Sequence, residues 1–407
     1  MRIFFGGYGR IVEHCPGFFR YLANNEYLIL ATTSFLLMKL FDKRVLIVIL
    51  MLFPGFGRLW AQVLSGEVSF AEHRCLPGYG IRKAGHPEVF QGNCKMKRYF
   101  EGWYFKMVSS DGSSILSVIP GIALSPDGSE KHAFIQVIDG KTARTDYFTF
   151  PVGEFAFSRK EFAVRIGRNY FSAERLVLNL RNDSSYISGE IKMTAPVTLP
   201  SRRLLNPGIM GWYRFVPFMQ CYHGVVSLSH RLQGVLEMDG AKLDFSNGKG
   251  YIEKDWGSSM PSAWIWMQSN NFVSHEASFM LSVANIPWLG KSFTGFLGFC
   301  YFNGTIHRFA TYTRATLEIV QQNGDTLKIL IRDRKLVYEI SAVRSQAGLL
   351  KAPVKGSMDR RIPESIDARL KLTIKDKQGI TVFNDSTTIA GLEIVGNQNI
   401  LLTKMKR

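Results

Sequence analysis

The chain has 407 residues, 46% hydrophobic and 20% charged, with a formal net charge of +17. That composition excludes wholesale disorder and leaves room for two domains or one large β domain. Lys and Arg are scattered through strand-like segments, with no basic helix and no glycine-aromatic ribonucleoprotein pattern. The charge therefore points to an anionic membrane surface and not to nucleic acid.

The first element is a leader. Lys39, Lys43 and Arg44 form a positive region, Val45 to Phe53 an apolar one, and Ala61 a small residue before Gln62. This is the layout of a secretory signal peptide beginning at Met38, too short to span a bilayer, which takes about 20 apolar residues. The apolar run 27–37 leaves two readings open: a start site placed too early, or a membrane-associated hairpin. The expected location is exported or membrane-associated, and cytoplasmic if the leader is a mis-called start. Segment 1–61 carries seven Lys/Arg against three Asp/Glu, so most of the positive charge belongs to the body. Five Cys (15, 75, 94, 221 and 300) include no CxxC, which argues against a zinc site or a disulfide framework. A single Cys75–Cys94 bridge is compatible with export.

From residue 97 onward short runs rich in β-branched and aromatic residues alternate with turn formers such as Asp111-Gly112 and Asp139-Gly140. No long stretch holds a helical period, so the expected class is all-β, built of barrel or sandwich halves. Segment 201–224, with Arg202-Arg203 and several prolines and glycines nearby, reads as a crossing linker. It divides a first half, 62–200, from a second, 225–407. Phosphate loops, nucleophile elbows and HExxH are missing from the sequence, leaving kinase, hydrolase and metalloenzyme readings without support.

Within 251–272, YIEKDWGSSMPSAWIWMQSNNF, three ionisable residues run into three tryptophans. As a strand, 251–256 puts Glu253 and Asp255 on one face and Lys254 and Trp256 on the other. Only one set is expected to point inward. Inward carboxylates would repel each other and retain a proton, whereas an inward Lys254 would pair with a carboxylate such as Glu101. Beyond the turn, Trp264, Trp266, Gln268 and Asn270 share a face suited to a pocket wall, or to plain core. In FEGWYF (100–105), Glu101 and Trp103 share a face opposite Gly102 and Tyr104, and Gly102 reads as a point of close backbone approach. His223 stands just before a strand, as a base titrating near neutrality or as a structural donor. Arg360, Arg361 and Glu364 read as a solvated or bridging charge cluster.

Three stretches, RYFEGWYFK (98–106), GYIEKDWGSSMPSAWIWMQSNNF (250–272) and LLKAPVKG…ESIDARLKL (349–372) closing with AGLEIVG (390–396), resemble the tocopherol cyclase family in content and order. The chain departs from the plant pattern in carrying Asp255 where Asn stands, and in a shorter middle over 140–200. The resemblance implies a lipocalin-like double barrel enclosing an apolar cavity, and closure of a prenylated quinol to a chromanol. Such chemistry needs a protonated carboxylic acid, a surface tolerant of positive charge and exclusion of water, but no metal or organic cofactor. On this reading Asp255, Glu253 and His223 are the catalytic candidates. Trp256, Trp264, Trp266, Gln268, Asn270, Trp103 and Tyr104 bind a hydrophobic or lipid substrate, and Glu101–Lys254 is a structural ion pair. The alternative is a lipocalin-like carrier that binds an apolar lipid without chemistry.

Overall fold

The computed structural model describes residues 68–73, 75, 76, 79, 83, 86–200 and 208–403; the expected leader and Arg202-Arg203 lie outside them. The alternating runs form two antiparallel sheets, of 13 and 10 strands among the described residues. In the first, the strands Tyr186–Val197, Cys221–Met238, Lys249–Gly257, Tyr99–Val108, Ile115–Leu124 and Lys131–Asp139 are hydrogen-bonded in that order. In the second, Lys291–Phe302, Ser278–Trp288, Trp264–Ser269, Thr381–Val395, Ser357–Asp376 and Leu336–Val343 follow one another. The chain passes from one sheet to the other in the turn between Gly257 and Trp264. Segment 208–220, part of the expected crossing linker, lies between two strands of the first sheet.

Each sheet curls around its own apolar core. The first core joins Phe155 and Phe157, near one end of the strand path, to Val137 and Phe148 near the other, which only a curled sheet allows. The second gathers Ile265, Met267, Leu281, Tyr338 and Leu392. A third apolar cluster, with Tyr104, Tyr251, Trp264, Trp266, Met280 and Ile362, draws on both sheets where their outer faces meet. The strands at this meeting are therefore buried on both faces, which explains their near-continuous hydrophobic runs. Burying apolar area on both sides is worth about 25 cal/mol per Å² and is the main drive for this double packing.

Cys75 and Cys94 are joined by a disulfide. Among the described residues Cys221 and Cys300 are free thiols. Two glycines are imposed by geometry. At Gly257 the backbone has φ +153° and a Cβ would lie 2.3 Å from the Gln220 carbonyl, so only glycine closes the strand there. At Gly391 a Cβ would lie 2.5 Å from the Trp266 ring, so this glycine seats the tryptophan. Gly102 differs: its Cβ would meet neighbours at 3.6 Å, ordinary contact, so the expected close backbone approach is absent and the glycine instead leaves the cavity wall low.

Candidate active site

The strand Lys249–Gly257 pairs along its length with Tyr99–Val108, setting Glu253 opposite Tyr104, Lys254 opposite Trp103 and Asp255 opposite Gly102. Because side chains alternate, this pairing sorts the residues into two environments. The expectation that only one face points inward is corrected here, since packing of the second sheet buries the other face too.

One environment is the closed interior of the first sheet. Lys254 forms an ion pair with Glu101, and both side chains are fully buried. Glu101 also accepts hydrogen bonds from the Tyr99 hydroxyl and from the backbone amides of Gln91 and Gly92. Lys254 donates to the Val89 carbonyl at 2.8 Å and lies 4.4 Å from the Trp103 ring centroid and 5.0 Å from that of Trp256. Burial lowers the Lys254 amine to about 8, with Glu101 holding it up. Charge and hydrogen bonds are thus matched, as a buried pair requires. Trp103 and Trp256, expected to touch substrate, instead box this ammonium. Neither lines the cavity.

The other environment is a cavity of about 200 Å³ between the sheets. Trp264, Trp266, Tyr104, Phe100, Phe134 and Met260 supply apolar walls, and Glu253, Asp255, Glu364, Glu393 and His223 supply a polar patch. Gln268 and Asn270 share the face of the two tryptophans but are buried beyond the cavity, where Asn270 donates to the Gly250 carbonyl at 2.8 Å and ties the sheets together.

His223 stands beside both acidic residues of the strand, because Cys221–Met238 pairs with it and sets His223 opposite Asp255. Its Nδ1 donates to Asp255 Oδ1 at 2.9 Å, and its Nε2 lies 3.4 Å from Glu253 Oε2. Burial alone would lower the imidazole, but the two carboxylates outweigh it and push it up to about 10. Raised in this way, His223 fits the structural donor of the two readings and not the base titrating near neutrality. Glu253 also accepts from the Tyr251 hydroxyl at 2.6 Å and the Trp266 indole at 3.3 Å, leaving Asp255 the more open of the two acids. The three residues offer one ligand atom each, all within 4.8 Å of one another. A metal there would have to displace the His223 proton, since an imidazolium has no lone pair to give.

Across the polar patch lies a carboxyl pair that sequence reasoning missed. Glu364 and Glu393 are opposite each other on neighbouring strands, close enough for each to shift the other's titration. Tyr104 donates to Glu364 at 2.7 Å, and the Trp264 indole donates to Glu393. Burial raises Glu364 to about 7. Burial, with the Glu364 charge beside it, raises Glu393 well above the usual carboxylate range. Two carboxyls in contact away from water retain at least one proton between them. Glu364, expected in a solvated or bridging cluster with Arg360 and Arg361, is 1% exposed. Arg360 instead donates to the carbonyls of Pro261 and Ser262. A signal for Glu393 was present: it is the only charged residue between Asp385 and Lys404, inside an apolar run.

The arrangement thus combines a proton-bearing acid, an acceptor carboxylate and aromatic walls around one apolar space. Comparison with known proteins agrees in family. The maize (Zea mays) chloroplastic tocopherol cyclase is 24% identical over 198 residues, which are 46% of this chain and 41% of that protein. The match thus spans less than half of the maize protein's length. Among solved structures, CghA has 11% identity and a TM-score of 0.47, covering 80% of this chain and 94% of that one. Kievitone hydratase from Nectria haematococca has 12% identity and a TM-score of 0.43, covering 80% and 97%. The tocopherol cyclase-like family model matches residues 177–396, more than half of the chain and including His223, Glu253, Asp255, Glu364 and Glu393. The chain belongs to the tocopherol cyclase-like family.

Proposed function

We propose that this protein is an enzyme that closes a prenylated quinol, or a related isoprenoid lipid, to a chromanol by acid catalysis without a cofactor. The observation that carries this reading is the Glu364–Glu393 pair, a carboxylic acid kept protonated in an apolar cavity that also holds the acceptor Asp255. Glu393 gives its proton to the substrate alkene, the phenol oxygen forms the new C–O bond at the resulting tertiary carbon, and the phenol proton passes to Asp255. The product is an isomer of the substrate, and proton exchange between Asp255 and Glu393 through solvent resets the site. The His223 imidazolium holds Asp255 in place through the hydrogen bond from its Nδ1. Trp264, Trp266 and Tyr104 face the developing cation, each ring stabilising it by about 0.5–2 kcal/mol. The walls keep out water that would otherwise trap the cation as an alcohol.

Membership in the family supports this substrate class, and the apolar lining supports a lipid. The Cys75–Cys94 disulfide supports an oxidising compartment and hence export. The test is incubation of purified protein with prenylated quinols, with chromanol followed by mass spectrometry and chiral separation. A single chromanol enantiomer is the expected product. Saturable quenching of tryptophan fluorescence with no turnover of any quinol would leave the lipid carrier instead.

A further inference from the structure

The segment Gly208–Gln220 bridges the sheets at one side of the cavity. Tyr312 donates to the Ile209 carbonyl at 2.6 Å, and Arg308 donates to that of Gly208. Its side chains divide sharply. Met210, Tyr213, Met219 and Gln220 line the cavity. Trp212, Phe215 and Phe218 point away and are 51%, 50% and 94% exposed. They are the only large exposed aromatics of the Phe and Trp types among the described residues. Trp212 stacks directly on Tyr213, at 4.2 Å between ring centroids, so the outward and inward rings are continuous. Phe218 also sits at φ 63°, a left-handed backbone that an aromatic residue rarely adopts, directly after Pro217. The hairpin tip on the second sheet repeats the pattern. Leu289 is 86% exposed, while Ile286, Pro287 and Phe293 around it line the same cavity.

Exposed aromatics confined to one rim of an apolar cavity mark an interaction surface. From Gly208 to Gly224 the chain has no Asp or Glu, nor has it any from Ile286 to Leu297, and the whole chain carries +17. Exposed aromatic rings on segments that carry no acid, in a basic protein, match the headgroup layer of an anionic bilayer. We infer that Trp212, Phe215 and Phe218, with Leu289, form a lip that docks on an anionic lipid surface and lets an apolar substrate pass between bilayer and cavity without crossing water.

The inference rests on the apolar cavity and not on the chemistry assigned to it. The test is flotation of the full chain with vesicles of phosphatidylcholine alone and of phosphatidylcholine with phosphatidylglycerol. Wild-type protein should float with the anionic vesicles, and brominated lipid should quench a tryptophan signal that Trp212→Phe removes. The triple variant Trp212→Ser/Phe215→Ser/Phe218→Ser should lose about tenfold or more in vesicle affinity while binding detergent-dispersed prenylated quinol as before. Phe218→Ser alone, the most exposed ring, should show the same loss in weaker form if the triple variant does not fold. Equal flotation of wild type and variants would mean that charge alone holds the protein to lipid, and would overturn the lip. So would failure of the wild type to float with either vesicle. A wild type that floats but turns over no quinol would overturn the cyclase reading and leave the lip standing.

Discussion

The two faces of Lys249–Gly257 start from the same few residues and end in opposite states. On the inner face, one buried cation meets one buried anion, and backbone amides, a tyrosine hydroxyl and two indole rings satisfy what remains. On the outer face, four carboxyls line a cavity whose basic side chains are His223 and Lys351, the latter over the Tyr147 ring. Matched charge gives a fixed structural pair. Surplus acid cannot all ionise away from water, so it stores protons where a substrate can reach them. The comparison teaches that a charged triplet on a doubly buried strand carries two roles at once.

The largest expected effects separate the faces by what they damage. Lys254→Met strands the Glu101 carboxylate and should cost about 3–5 kcal/mol of stability, read by denaturant unfolding. Adding Glu101→Gln should recover part of that loss; no recovery would mean that Lys254 acts through packing on Trp103 and Trp256 alone. Glu393→Gln should do the reverse. Turnover should fall about 10²–10⁴-fold, while the thermal midpoint holds, because the amide keeps the shape and neutrality of the protonated acid it replaces. An unchanged rate would return the donor role to Asp255.

pH sharpens the same contrast. A carboxyl raised on folding binds its proton more tightly in the native state, so its contribution to stability is complete below the unfolded value and lost as pH rises through the folded one. For Glu364 that window runs from the ordinary carboxylate range up to about 7. The thermal midpoint should therefore decline as pH rises toward and past 7. Glu364→Gln should flatten the stability profile there, and a profile unchanged in that variant would place the titrating group elsewhere.

How much of this was legible follows from how local each feature is. Strand alternation, the all-β class and the sorting of Glu253 and Asp255 from Lys254 needed only the period of two. The Glu101–Lys254 pairing was within reach because two aromatic strands each offered one inward charge. The carboxyl pair was not, since Glu364 and Glu393 meet at the end of a long hairpin away from its turn, and three bulges shift the register between turn and pair. Trp103 and Trp256 were misread for a related reason. An aromatic beside a charge looks like a pocket wall until the partner sheet decides which face meets the cavity. Gln268 and Asn270 lie on the expected face, but the cavity ends before them.

A smaller effect tests how the second sheet seats its tryptophan. Gly391→Ala places a Cβ 2.5 Å from the Trp266 ring, an overpacking that should cost about 1–3 kcal/mol. Because Trp266 also donates to Glu253, quinol affinity should weaken together with stability. A variant with full stability and full affinity would show that the ring can move without consequence.

The smallest expected effect bears on Asp255. Asp255→Asn keeps an oxygen that can accept a hydrogen bond from a phenol but removes one of the two charges that hold the His223 proton. The imidazole should then titrate below about 10, visible by NMR of the histidine ring, because Glu253 remains as its single carboxylate partner. Turnover should fall only about tenfold, since an amide oxygen still orients the phenol and the acidic proton released on ring closure can pass to the carboxylate left on the Glu364–Glu393 pair, which lines the same cavity. A far larger loss, matching that of Glu393→Gln, would make Asp255 the group on which proton transfer depends. A shift of the imidazole with no change in rate would instead reduce the His223 cluster to a scaffold for the cavity wall, with the chemistry left to the opposite pair.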